Sequence, residues 1–165
     1  MKRNEFLQLI ARFSKQPVPA TIQRHIYLWL GEADDLFVNS PAGLFKKLDL
    51  HQVCQRLEKT PYGDKAAGRE LSNAIEDWLS KEFPRDTRQH ALLVAGIDLL
   101  YRYHLPMSVF MRLASEKCMI VLVLSPLDVN FHPSAPLPAY TQFSPDAILK
   151  YVKTELPEEA VVGEE

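Results

Sequence analysis

The stretch HALLVAGIDLLYRYHLPMSVFMRLASEKCMIVLVLS, residues His90 to Ser125, decides the fold. It opens on one apolar run, HALLVAG, and closes on another, CMIVLVLS. Both runs are continuous rather than alternating, the pattern of strands covered on both faces in a parallel sheet. Between them, LPMSVFMRLASEK predicts a short helix with Pro106 near its first turn, where a missing N–H is tolerated. Strand, helix, strand requires a crossover, and such crossovers in parallel sheets are right-handed. Many nucleotide-hydrolysing folds are built around this unit, together with a glycine-rich phosphate loop and acidic metal ligands.

Outward from this unit the same alternation continues. HIYLWLG predicts a buried strand from Ile26 to Leu30, ended by Gly31. A short strand near Phe45 to Leu48 leads into a helix with Asp49 as N-cap and Leu50, Val53, Cys54 and Leu57 on its apolar face. Phe6, Leu9, Ile10 and Phe13 define an N-terminal amphipathic helix from Asn4 to Ser14, stopped by QPVPA. Leu71, Ala74, Ile75, Trp78 and Leu79 define another from Lys65 to Phe83. His25 and His90, each just ahead of a strand, read as half-exposed polar residues.

After Ser125 the texture changes. PLDVNFHPSAPLPAYTQFSP holds five of the 12 prolines and predicts a long irregular loop with at most an edge strand near Tyr140. Ser144 and Pro145 start a last helix as N-cap and first helical residue. The expected fold class is α/β: a small, mainly parallel sheet flanked by helices, in a degenerate P-loop NTPase-like layout. One domain is expected over residues 1–154, with an acidic, flexible tail over 155–165.

Composition narrows the function. Hydrophobic residues at 47% and charged residues at 24% are ordinary for a globular protein that buries a core. The net charge is −2 and basic residues come only in pairs such as Lys2-Arg3 and Lys46-Lys47, so no direct nucleic-acid binding is expected. Cys54 and Cys118 alone suggest a reducing compartment. Glu5, Gln8 and Arg12 break the N-terminal apolar pattern that a signal peptide needs, and CMIVLVL is far short of the ~20 residues of a membrane span. No membrane association and a cytoplasmic location are expected.

Catalytic signals are weak. The strand HIYLWL feeds GEADDLFVNSPAG, which has no Gly-Lys-Ser or Gly-Lys-Thr, and Glu32, Asp34 and Asp35 stand where phosphate would bind. At the end of the strand ALLVAGID the metal-holding acid is replaced by Ala95-Gly96, and Asp98 comes late enough to read as a cap or turn former. None of the five histidines forms a metal-binding pair with another. Asp34, Asp35, Asp98, Asp128 and His132 can all line the carboxyl edge of a parallel sheet, where open α/β folds place ligands. No nucleophile elbow is present, and neither cysteine has an activating neighbour in sequence. No catalytic residue, cofactor or metal is assigned from the sequence.

The order ALLVAGIDLLYRYHLPMSVFMRLASEKCMIVLVLSPLD, then HPSAPLPAYTQF, resembles the small accessory proteins of BREX phage-exclusion systems, the BrxB type most of all. The shared features are a strand running into a glycine-containing turn, here Ala95-Gly96-Ile97, and an apolar, aromatic stretch from Leu99 to Tyr103 with Arg102 and His104. The N-terminal FLQLIARFSK and the strand followed by LDLHQVCQRLE fit the same layout. BrxF-type relatives carry a true phosphate loop, which is absent here. The Pro-Gly-Tyr-Asp-Gly type of turn after the second apolar strand is replaced by SPLDVNFHP, which keeps Pro126 and Asp128 but not the glycines. The resemblance covers most of the chain in order and spacing rather than in identities. It implies a non-enzymatic component of antiviral defence that binds a larger protein, notably one of PglZ type.

Three functions compete. In the first, an adaptor docks its partner through the proline-rich loop, with Phe131, His132, Tyr140 and Phe143 as partner-binding residues. Rings turned inward would instead make that loop a lid over the sheet. In the second, a metal-dependent phosphatase or nuclease uses the carboxylates and His132. In the third, a nucleotide is sensed without hydrolysis. Convergence of Asp34, Asp98 and Asp128 would favour the enzyme, and a solvent-facing aromatic patch the adaptor.

Overall fold

The two apolar runs form neighbouring parallel strands at the centre of a five-stranded sheet. The computed structural model describes residues 1–19, 24–57, 64–131 and 144–163. The strands are β1 (Ile26–Leu30), β2 (Phe45–Asp49), β3 (His90–Ala95), β4 (Cys118–Leu124) and β5 (Val161–Val162), in the order β2-β3-β4-β1-β5. Every pairing is parallel. Val94 lies opposite Leu122 and Leu28 opposite the same Leu122 from the other side. Ala91 to Val94 and Met119 to Leu122 are wholly shielded from solvent, as continuous apolar strands must be.

The helices are α1 (Arg3–Lys15), α2 (Ala33–Val38), α3 (Leu50–Gln55), α4 (Asp64–Glu82), α5 (Asp98–Arg102), α6 (Ser108–Leu113) and α7 (Pro145–Lys153). From β1 the chain crosses to the edge strand β2, then steps back through β3 and β4 and passes β1 to reach β5. This reversal, with right-handed crossovers, puts the β1–β2 connection on one face and the later connections on the other. A crevice opens at the carboxyl ends of the strands. α1 covers β1, with Phe6 against Tyr27 at 5.0 Å and Trp29 at 6.1 Å between ring centroids. Asp49 accepts from the His51 N–H at the start of α3, and Ser144 from the Ala147 N–H at the start of α7, both in the expected capping roles. No described helix is long and apolar enough to cross a membrane.

The structure corrects three expectations. The described part of the expected tail, up to residue 163, is packed: Leu156, Ala160, Val161 and Val162 are buried, and β5 pairs with β1 at Leu28 and Trp29. Two valines suffice because the exposed edge of β1 needs a cover and these side chains reach the core beside it. The segment after β1 also holds α2 over Ala33–Val38, a helix the sequence reading did not assign. The turn after β3 contains α5, so Pro106 precedes α6 rather than lying in its first turn. His25 is fully buried, because α1 roofs the start of β1; its Nδ1 meets the Tyr27 hydroxyl at 2.8 Å and its Nε2 the Val18 carbonyl. Both cysteines are free and buried, and burial pushes the Cys118 thiol up to about 12.

Candidate functional site

The loops after β1, β2, β3 and β4 surround a cavity of about 390 Å³ at the carboxyl edge of the sheet. Glu32, Ala33 and Asp34 come from the turn into α2, and Lys47, Asp49 and His51 from the β2–α3 corner. Ser125, Leu127, Asp128, Asn130 and Phe131 come from the segment after β4, where a 3-10 turn spans Pro126–Asn130. Gly96 closes the wall at φ +74°, and a Cβ there would lie 2.8 Å from the His51 ring and 2.9 Å from its backbone N. Only glycine lets the β3 turn and the β2–α3 corner come this close.

Beneath the cavity sits Asp98, the first residue of α5, with no solvent exposure. Its Oδ1 is 2.6 Å from His51 Nε2, and its Oδ2 is 2.9 Å from Arg102 Nε one helical turn on. The second contact is an ion pair without hydrogen-bond alignment. Arg102 also donates through Nη1 to the Phe131 carbonyl at 2.8 Å and through Nη2 to the Asp128 carbonyl at 3.2 Å. The guanidinium therefore ties α5 to the middle and the end of the segment that follows β4. A carboxylate only accepts, so facing Asp98 the His51 Nε2 is assigned as the donor.

Above this floor a second network forms. The Ser125 N–H donates to Asp128 Oδ2 at 3.1 Å, and Ser125 Oγ accepts from the Leu127 N–H, which is a capping box on the 3-10 turn. Ser125 Oγ also donates to Glu32 Oε1 at 2.6 Å, across from β4 to β1. Burial pushes the Asp128 carboxyl up to about 6, and the charges of Asp98 and Glu32 add to that, while the Ser125 N–H and His51 oppose it. Four lining carboxylates, Glu32, Asp34, Asp49 and Asp128, face one lining lysine, Lys47.

The sequence-based candidates separate here. Asp98 and Asp128 converge, together with His51, whose ligand atoms all lie within 4.8 Å of theirs. Asp34 does not join them; it lines the rim, largely exposed, 3.8 Å from Lys47. Asp35 is exposed on α2. Phe131 is half-buried and stacks flat on His51 at 3.9 Å, with the Arg102 guanidinium 5.8 Å from its ring. It thus packs onto the site as a lid does. His132, Tyr140 and Phe143 lie outside the described residues. Reading the sequence missed His51 as a site residue, because its partner Asp98 is distant in the chain. The Asp98–Arg102 spacing of four and the Ser125-x-x-Asp128 capping pattern were the available signals.

No family model matches the chain, and neither a curated protein nor a solved structure matches it. The chemistry of the edge therefore stands on its own geometry. It offers carboxylates to a cation, disfavours phosphate, and holds the half-buried His51 with the buried Asp98 and Arg102 in internal pairs.

Proposed function

We propose that the protein is a non-catalytic accessory component that works by docking a larger protein, as its resemblance to BrxB-type members of BREX phage-exclusion systems implies, with a PglZ-type protein as the partner class. One observation carries this reading. Where a phosphate loop would follow β1, the Glu32 carboxylate is fixed by Ser125 and stands in a pocket dominated by carboxylates. The same observation supports a degenerate P-loop-like layout, in which an internal strand followed by a glycine and a helix is kept while phosphate binding is not. It disfavours nucleotide sensing on the same electrostatic ground. Affinity capture from the native host is expected to return a larger protein in stoichiometric amount. Calorimetric titration with Mg-ATP is expected to show no binding tighter than about 10 μM, equivalent to roughly 7 kcal/mol. Absence of any retained partner, or nucleotide binding tighter than that, contradicts the reading.

The convergence of His51, Asp98 and Asp128 favours a second reading, a metal-dependent phosphatase or nuclease. It is the weaker one. His51 Nε2 points its N–H at Asp98, and Asp98 is held on its other oxygen by Arg102, so two of the three ligands must give up short contacts first. Hydrolysis of bis(p-nitrophenyl) phosphate with Mn²⁺, abolished by Asp128→Asn, would favour this second reading over docking.

A further inference from the structure

We propose that the pocket at the carboxyl edge receives one arginine or lysine side chain of a protein partner, and that apolar residues flanking that side chain seat on Leu127 and the outer turn of α2. This inference rests on the docking reading and names what is docked.

Two independent observations lead to it. The first is charge. Glu32 and Asp128 each use one carboxylate oxygen on Ser125, and the second oxygen of each has no hydrogen-bond partner among the described residues. Two carboxylates anchored on one serine each keep an acceptor oxygen, the group with which a guanidinium pairs. Lys47 cannot supply this charge from within, since it reaches Asp34 at the exposed rim. A divalent cation fits less well, because the third candidate ligand, His51, turns its Nε2–H to Asp98.

The second observation is the distribution of apolar surface. The large hydrophobics that stay exposed among the described residues are Phe37 at 48%, Val38 at 79% and Leu127 at 64%. One of them lines this pocket, and the other two stand further along α2, the helix that starts at its rim. Leu127 lines it, and Phe37 and Val38 lie one helical turn beyond Ala33 and Asp34, which also line it. An exposed leucine on the wall of an acidic recess, with two further exposed apolar residues on the adjoining helix, is the kind of surface a basic side chain with apolar neighbours fits.

The test is a ¹⁵N–¹H correlation titration of the full chain with the blocked peptide acetyl-Leu-Arg-Phe-amide, its citrulline isostere, and Mg²⁺ alone. The arginine peptide is expected to give saturable shifts at the amides of Ala33, Ser125 and Leu127, with a dissociation constant on the order of 1 mM. The citrulline peptide should bind about tenfold more weakly. Glu32→Gln, which still accepts from Ser125, and the surface change Leu127→Ala should each weaken the arginine peptide about fivefold or more. Equal binding of the citrulline peptide, no saturable shifts at these amides, or tighter site binding by Mg²⁺ than by the peptide overturns the proposal. A host partner retained undiminished by Glu32→Gln with Leu127→Ala overturns it while leaving docking intact. Failure of the wild-type chain to retain a partner overturns the docking reading itself.

Discussion

At the residue scale, the site costs the protein stability at neutral pH. Asp128 is raised from 3.8 to about 6, so the folded state holds its proton more tightly than the unfolded state does. Its contribution to stability is therefore full below about pH 4 and is lost as pH rises through about 6. Asp128→Asn keeps an acceptor for the Ser125 N–H and removes the charge. The variant should be more stable than wild type near pH 7.5 by on the order of 2 kcal/mol, with the gap closing toward pH 4 in urea denaturation. A variant less stable than wild type at pH 7.5 would mean that the ionised carboxylate stabilises the fold. Asp98 carries the opposite expectation. Asp98→Ala removes the buried carboxylate that faces Arg102 Nε and should cost about 3–5 kcal/mol. Adding Arg102→Met to it should recover much of that loss, and no recovery would place the damage in the His51 contact instead. Of this network, Asp98 was legible only as a cap or turn former, since α5 is too short to show that Arg102 lies one turn beyond it. His51 was not, because folding brings together residues 47 positions apart in the chain.

At the element scale, what could be read depended on how strongly each element announces itself in apolar pattern. β1, β3 and β4 stood out as continuous apolar runs, and α1 and α4 as long amphipathic helices of 13 and 19 residues. α2 and α5 have six and five residues, too few to show a helical period, and tertiary packing rather than propensity holds such short helices. β5 was masked by composition, since five glutamates surround Val161 and Val162 in the last eleven residues. Its burial makes a clear expectation. Val162→Asp, at a position with no exposure, should destabilise the fold by several kcal/mol and lower the melting temperature by more than 10 °C. A cooperative melt at the wild-type temperature would show that β5 does not cover β1. The helix starts at Asp49 and Ser144 were read correctly because the capping side chain itself is the signal.

At the scale of the whole molecule, a net charge of −2 conceals an uneven distribution. The carboxyl edge gathers Glu32, Asp34, Asp49 and Asp128 around one recess, with the exposed Leu127 on its wall. Sequence reading placed candidate acids at this edge but assigned partner contact to the aromatics of the loop that follows β4. Of those aromatics only Phe131 lies among the described residues, half-buried and stacked on His51, and the docking proposal adds Leu127 and α2 at the same edge. The central claim is that this acidic edge is the docking surface. Its most direct test is the affinity of the captured host partner for the wild-type chain and for a Glu32→Gln, Asp34→Asn double variant, measured from about 50 to 300 mM salt. The account predicts wild-type affinity that weakens as salt rises, and a variant that binds about tenfold or more weakly at low salt with a flatter salt dependence. Equal affinity and equal salt dependence for two equally folded proteins would contradict it.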